Sequence, residues 1–193
     1  MTAGGGAGCI QLKAWLAQVL IERAWADNLD NRTAATRPWS WADTSPVARI
    51  EFMRQRQSMI VLAGESGRVL AFGPGHRPGS ALPGEEGNSV VSGHRDTHFA
   101  VLQEVARGDL VQVQGLAGGV TRYRVDDLKV VDEHDLSITG QRGFDRLTLV
   151  TCWPFQALVP GGPLRYVVSA SRIDERPTVP APPSHQKNAP DRP

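Results

Sequence analysis

The sequence predicts a mostly β domain whose short strands close into a barrel or stack as a sandwich. Three observations carry that prediction. The 193 residues include 20 glycines and 14 prolines, and helical runs are few. Short β-branched and apolar stretches recur between turn signals from residue 47 to residue 173. The length suits one compact domain with extensions.

Composition excludes several classes of function. A formal net charge of +1 gives no electrostatic footprint for nucleic acid or for a polybasic membrane contact. The two cysteines, Cys9 and Cys152, are too few for a disulfide framework, and no C-x-x-C motif is present for zinc or redox work. No run of 18 apolar residues and no basic-then-apolar leader occurs in these residues.

Taken in order, residues 10–28 have helical periodicity. Leu12, Trp15, Leu16, Val19 and Leu20 share one face, which is expected to pack on the domain, with a membrane surface or a partner as alternatives. Residues 30–46 read as a linker, and its indoles, Trp39 and Trp41, are expected to cover an apolar seam. The predicted strands are 47–53, 57–63, 88–93, 109–114, 120–131, 145–152 and 164–173. A helical turn is expected within 64–75 and a short helix at 97–105. Residues 78–87, 132–144 and 153–163 are loops. From Asp174 the chain is Pro-rich and polar, which predicts disorder. The organisation is therefore an N-terminal helix and Trp/Pro linker (1–46), a β domain (47–173) and a tail (174–193).

Chemistry concentrates at the end of one strand. Leu147-Thr148-Leu149-Val150-Thr151 runs into Cys152, and Pro154 forbids further pairing. A thiol at a strand exit can act as a nucleophile if a histidine stabilises the thiolate and a donor receives the oxyanion. Of the five histidines, His185 lies in the tail, His134 in a charged loop and His76 behind a Gly-Pro-Gly turn. His94 leaves a strand at a glycine hinge, as Cys152 leaves another. His94 and His98 stand at helical spacing, but no third ligand at a metal-site spacing accompanies them. Arg165 begins the next strand, and an antiparallel return would bring its planar set of donors back to Cys152. From spacing alone, a lone cysteine after a strand is more often inert and Arg165 an edge-strand arginine. A cysteine peptidase, an L,D-transpeptidase-like enzyme and a non-catalytic binding module stay open as alternatives.

Three segments together resemble the sortases, cysteine transpeptidases that process cell-surface proteins. They are Ser92-Gly93-His94-Arg95-Asp96-Thr97, Leu147-Thr148-Leu149-Val150-Thr151-Cys152 and Arg165-Tyr166-Val167-Val168. Pro74-Gly75-His76 and Gly87-Asn88 add to the match, which covers about 47–173. Within the family the sequence is most similar to the Gram-negative, proteobacterial branch, through Lys13-Ala14-Trp15-Leu16-Ala17-Gln18 and Pro38-Trp39-Ser40-Trp41-Ala42-Asp43.

The resemblance implies a closed eight-stranded β-barrel with short helices and an N-terminal amphipathic helix. It implies Cys152 as nucleophile, His94 as proton donor and acceptor, and Arg165 as stabiliser of substrate and oxyanion. Thr151 and Trp153 would support the substrate or the oxyanion, and Trp153 stands where the family commonly has tyrosine. The substrate would be a protein with a C-terminal Leu-Pro-x-Thr-Gly signal, and the acceptor an amine. No cofactor is required, although some sortases hold calcium, for which Glu85, Glu86, Asp132, Glu133 and Asp135 are the acidic candidates. Family members are usually tethered to a membrane, which implies the cell envelope, at the inner membrane and facing the periplasm.

Overall fold

The computed structural model describes residues 5–32, 36–135, 140, 145–157 and 161–173, with side chains from residue 12. The Pro-rich tail expected from Asp174 lies outside the described residues, as do Cys9's side chain and His185.

A long helix, α1 (Gly5–Asn31), leads into the strands β1 (Pro46–Phe52) and β2 (Gln57–Ala63). A single turn, α2 (Gly67–Leu70), precedes the two-residue strand β3 (Gly75–His76) and then β4 (Asn88–Ser92). After a 3-10 helix (His98–Gln103) come β5 (Leu110–Gly115), β6 (Val120–Asp132), β7 (Arg146–Trp153) and β8 (Leu164–Arg172). The strands close in the order β1-β2-β3-β4-β7-β8-β6-β5, with β5 returning to β1. Closure leaves no long sheet edge without a partner. Of the two alternatives open in the sequence, the barrel is the one formed.

Strand ends differ from the expected ones by a residue or two, as helix and strand boundaries commonly do. β3 was not predicted. It has no hydrophobic pattern, and Gly75 is there because a Cβ at that position would meet the Gly64 carbonyl oxygen at 2.1 Å. The short helix expected at 97–105 is a 3-10 helix, and it buries Phe99, Val101 and Leu102 in the barrel core.

β-Strand alternation sorts the residues of β7. Leu147 and Leu149 point into the main core with Ile50, Phe52, Val111 and Tyr123. Val150 points outward, into a smaller cluster with Val90 and Val167. At ~1.5–3 kcal/mol for each fully buried aliphatic or aromatic side chain, the inner face carries most of the packing energy of this strand.

The buried face of α1 is not the expected one. Of the expected face, Leu12, Trp15, Leu16 and Val19 are exposed and Leu20 is half-buried, and Ala17, Ile21, Ala24, Trp25 and Asn28 are buried. The helix rests on the barrel through Ile21 and Trp25, which cluster with Ile60 and Leu62 of β2 and Val69 of α2. Ala17 and Ala24 are small enough to let the helix approach closely. Asn28 anchors its C-terminal end, with the amide donating to the carbonyls of Thr36 and Pro46 and accepting from the Thr36 N–H. In the linker, Trp39 covers an apolar seam edge-on to Phe72, with ring centroids 4.9 Å apart. Trp41 does not, being 83% exposed. No helix among the described residues is long and apolar enough to cross a membrane.

Candidate functional site

The register of three neighbouring strands builds the site. β7 and β8 are antiparallel, and Cys152 lies directly opposite Arg165. β4 and β7 are parallel, with Ser92 level with Val150. Two residues further along each strand stand His94 and Cys152. The pairing continues past the strand end, since the Gly93 N–H donates to the Val150 carbonyl at 3.0 Å. His94, Cys152 and Arg165 therefore emerge together at one end of β4, β7 and β8. All three line a pocket of about 290 Å³ on the outer face of the sheet, with Val150 as floor and Glu65 and Leu70 as a wall. His94 is exposed there, and Cys152 and Arg165 are partly exposed.

The histidine turn is tightly held. Gly93 faces the Phe99 ring so closely that a Cβ would approach it to 2.7 Å. The hydroxyl of Thr151, a residue 2% exposed, donates to the Gly93 carbonyl at 2.7 Å. Thr151 thus ties the end of β7 to the turn that presents His94, and that bond engages its hydroxyl hydrogen.

Arg165 is also restrained. One guanidinium nitrogen, Nη1, donates to the carbonyls of Gly162 (2.6 Å) and Leu164 (3.0 Å), and Nη2 donates to the Glu133 carboxylate. A guanidinium has five N–H donors. These contacts engage three of them among the described residues, which leaves Nε and the second Nη2 hydrogen for a bound group.

The remaining sequence candidates lie elsewhere. Trp153 faces the opposite side of β7 from Cys152. Its ring stacks on Tyr166 at 5.6 Å and meets Phe155 edge-on at 5.6 Å, so it closes the barrel end rather than lining the pocket. Strand alternation is the physical reason, because adjacent residues cannot share a face. His76 is buried, with Nε2 within 2.9 Å of both the Ala81 carbonyl and the Ser80 hydroxyl. His98 sits in the first turn after His94, where burial, and secondarily repulsion from His94, lowers its pKa. His134 is 87% exposed. Among the described residues, no three of His, Cys, Asp and Glu come together in a way that would hold a metal ion. The five acidic candidates for calcium do not gather: Glu133 pairs with Arg165, and Asp132 accepts from the His134 N–H at 2.9 Å.

Two pocket residues had no signal in the sequence. Glu65 and Leu70 come from the β2–β3 connection, which has no periodicity, and only the closed topology brings them to the wall.

A closed eight-stranded barrel with a strand-end thiol, an opposed arginine and a histidine two residues past the end of the adjoining parallel strand defines the class of scaffold. The Sortase domain model matches residues 50–173, so the chain belongs to the sortase family. Sortase D of Bacillus subtilis (strain 168) is 34% identical over 125 residues, covering 64% of this chain, and the chain spans 62% of that relative's length. Among solved structures, a Clostridium perfringens Sortase D5 transpeptidase superposes with a TM-score of 0.59 at 26% identity, over 67% of this chain and 80% of that one. Sortase C-1 from Actinomyces oris gives a TM-score of 0.60 at 31% identity, over 68% and 76%. Sortase A from Corynebacterium diphtheriae, lid mutant, shares the fold with a TM-score of 0.62 at 24% identity, over 85% and 97%. Sortases are cysteine transpeptidases that cleave sorting signals and pass the acyl group to an amine.

Proposed function

We propose that this protein is a sortase-type cysteine transpeptidase that cleaves a C-terminal Leu-Pro-x-Thr-Gly-like signal between Thr and Gly. The observation that carries the reading is the cross-strand pair Cys152–Arg165 sharing one pocket with His94. The Cys152 thiolate attacks the Thr carbonyl carbon, and the carbonyl π pair moves to oxygen. Arg165 donates to that oxyanion through its remaining N–H groups. As the tetrahedral adduct collapses, the C–N bond breaks and His94 gives its proton to the leaving glycine amine. The product is a thioester on Cys152. An acceptor amine then attacks the thioester, His94 takes its proton, and the thiolate leaves. Thr151 supports the site through its bond to Gly93.

The thiol must be ionised while the imidazole is protonated, so activity should rise and fall with pH as a bell. The catalytic unit is 47–173, with 1–46 as an N-terminal extension and 174–193 as a tail. The two N-terminal motifs at 13–18 and 38–43 support membership of the Gram-negative branch. The exposed stripe of Leu12, Trp15, Leu16 and Val19, with Trp41 lining the same cavity as Leu16, supports contact with a membrane surface. Sortase membership supports the cell envelope, and the branch motifs support the periplasmic side of the inner membrane. Co-sedimentation with lipid vesicles should be lost in a Leu12→Ser/Trp15→Ser/Leu16→Ser variant; equal pelleting of both proteins would remove the membrane assignment.

The test of the chemistry is mass spectrometry of the protein mixed with signal peptides and an amine acceptor. An acyl adduct on Cys152 and a ligated product are expected, both lost in Cys152→Ala. Folded protein that gives neither with several signal variants would defeat the proposal. Arg165→Ala should slow acylation by ~10²–10³-fold, the usual effect of removing an oxyanion donor.

A further inference from the structure

We infer that Glu65 is a positioning residue for His94 and acts through the Ser92 hydroxyl; the inference rests on the reading of His94 as the proton carrier. Glu65 reaches the pocket from the segment that follows β2, and the backbone there is closely fitted. Gly64 adopts φ +89° and donates its N–H to the His76 carbonyl at 2.9 Å. Gly75 lies against this segment, and a Cβ on it would stand 3.2 Å from the Glu65 Cα. The base of the Glu65 side chain is thus fixed by two glycines before its carboxylate makes any bond.

The carboxylate then bridges two strands. Oε1 accepts from Arg77 Nε at 2.9 Å, and Oε2 accepts from Ser92 Oγ at 3.1 Å. Arg77 immediately follows β3, and Ser92 is the last residue of β4, two residues before His94. The ties to Val150, Thr151 and Phe99 described above all act on Gly93. Among the described residues, the one side-chain hydrogen bond to Ser92 is this one from Glu65, which lines the same pocket. A carboxylate suits this bridge because it accepts at both oxygens. Glutamine would have one acceptor for two donors. The charge of Glu65 is balanced by Arg77, so its effect falls on geometry rather than on attraction of a charged substrate.

A small displacement of a catalytic group costs up to ~10²-fold in rate. Glu65→Ala is therefore expected to lower kcat by ~10-fold or more and leave KM within ~2-fold of the wild type. Ser92→Ala should give a loss of the same size, and Ser92→Thr, which keeps the hydroxyl, should restore most of the rate. The Glu65→Ala/Ser92→Ala double variant should be no slower than either single variant, since both remove one bond. Kinetics with a signal peptide that the wild type turns over, alongside circular dichroism of each variant, measure all of this. A normal kcat, a change confined to KM, or losses that multiply in the double variant would overturn the inference. If Glu65→Ala does not fold, the Ser92→Ala and Ser92→Thr pair decides: equal rates in those two variants would overturn it. His94→Ala separates this from the parent reading. Full activity there defeats the role of His94 itself, whereas a dead His94→Ala beside a fully active Glu65→Ala defeats only the positioning role.

Discussion

Gly75-His76 and Gly93-His94 are the same dipeptide at adjoining strands, with Gly75 paired to Ser92 and His76 to Val91. The two imidazoles have opposite surroundings. His76 is 7% exposed and held between the Ala81 carbonyl and the Ser80 hydroxyl. His94 is exposed in the pocket with Cys152 and Arg165. Their glycines differ in the same sense. Gly75 is needed for a backbone to pass, and Gly93 for a ring to pack. A histidine that is buried with its Nε2 held by its own turn serves the fold, and one whose backbone is tied while its ring stays open can serve chemistry. Burial and partners separate the two where the Gly-His dipeptide does not, in line with the Gly-Pro-Gly turn before His76 and the strand before His94.

The largest effect should come from exchanging each histidine in turn. His94→Ala is expected to reduce signal-peptide turnover by ~10²–10⁴-fold, the range for loss of a general acid–base, with an unchanged denaturant midpoint. His76→Ala should do the reverse. It removes the imidazole from the Ala81 carbonyl and from the Ser80 hydroxyl, which keeps its bonds to the Arg77 carbonyl and the Val90 N–H, and should cost ~1–3 kcal/mol of stability, while activity per folded molecule stays within ~2-fold of the wild type. Urea unfolding and peptide kinetics on both variants make the check. Loss of stability in His94→Ala, or of turnover in folded His76→Ala, would dissolve the contrast.

The glycines sharpen it. Alanine at 75 places a Cβ 2.1 Å from a backbone oxygen, which cannot yield without moving β3. Alanine at 93 places one 2.7 Å from the Phe99 ring, a side chain that is fully buried. Overpacking typically costs ~1–3 kcal/mol and occasionally more; Gly75→Ala should lie above that range and Gly93→Ala within it. Gly93→Ala should also lose activity out of proportion to its stability loss, because His94 is the next residue. Thermal unfolding with peptide kinetics would reverse this ordering if the Gly93 turn were the less tolerant of the two.

Much of this architecture is legible in the residues. β2 and β7 carry dense β-branched and apolar runs, and the antiparallel return from Cys152 to Arg165 follows from a strand, a loop and a strand. What is not legible depends on contacts distant in sequence. β3 has two residues and no pattern, and it exists because two backbones approach at Gly75. The face of α1 that packs is hidden because apolar residues occupy more than one side of the helix, and only the outline of β2 selects Ile21 and Trp25 over Trp15 and Leu16. Glu65 reaches the pocket wall through barrel closure, for which the β2–β3 connection has no signature. Trp153 is the reverse case. It adjoins Cys152 in the chain, and the period of two turns its ring away.

The smallest effect concerns the histidine between these two extremes. His98 is half-buried, and its pKa is lowered first by burial and then by repulsion from His94. A histidine with a depressed folded-state pKa binds its proton less readily than the unfolded chain does. Stability therefore holds above the unfolded value of about 6.5 and falls as the pH drops below it, because protonation favours the unfolded chain. In His98→Gln the decline of the melting temperature below about pH 6.5 should be shallower than in the wild type. His94→Ala should flatten it by a smaller amount, since it removes the secondary cause and leaves the burial. If His94→Ala flattens the curve as much as His98→Gln does, electrostatic coupling across the turn outweighs burial at His98. If His98→Gln leaves the slope unchanged, the acid response arises from other groups.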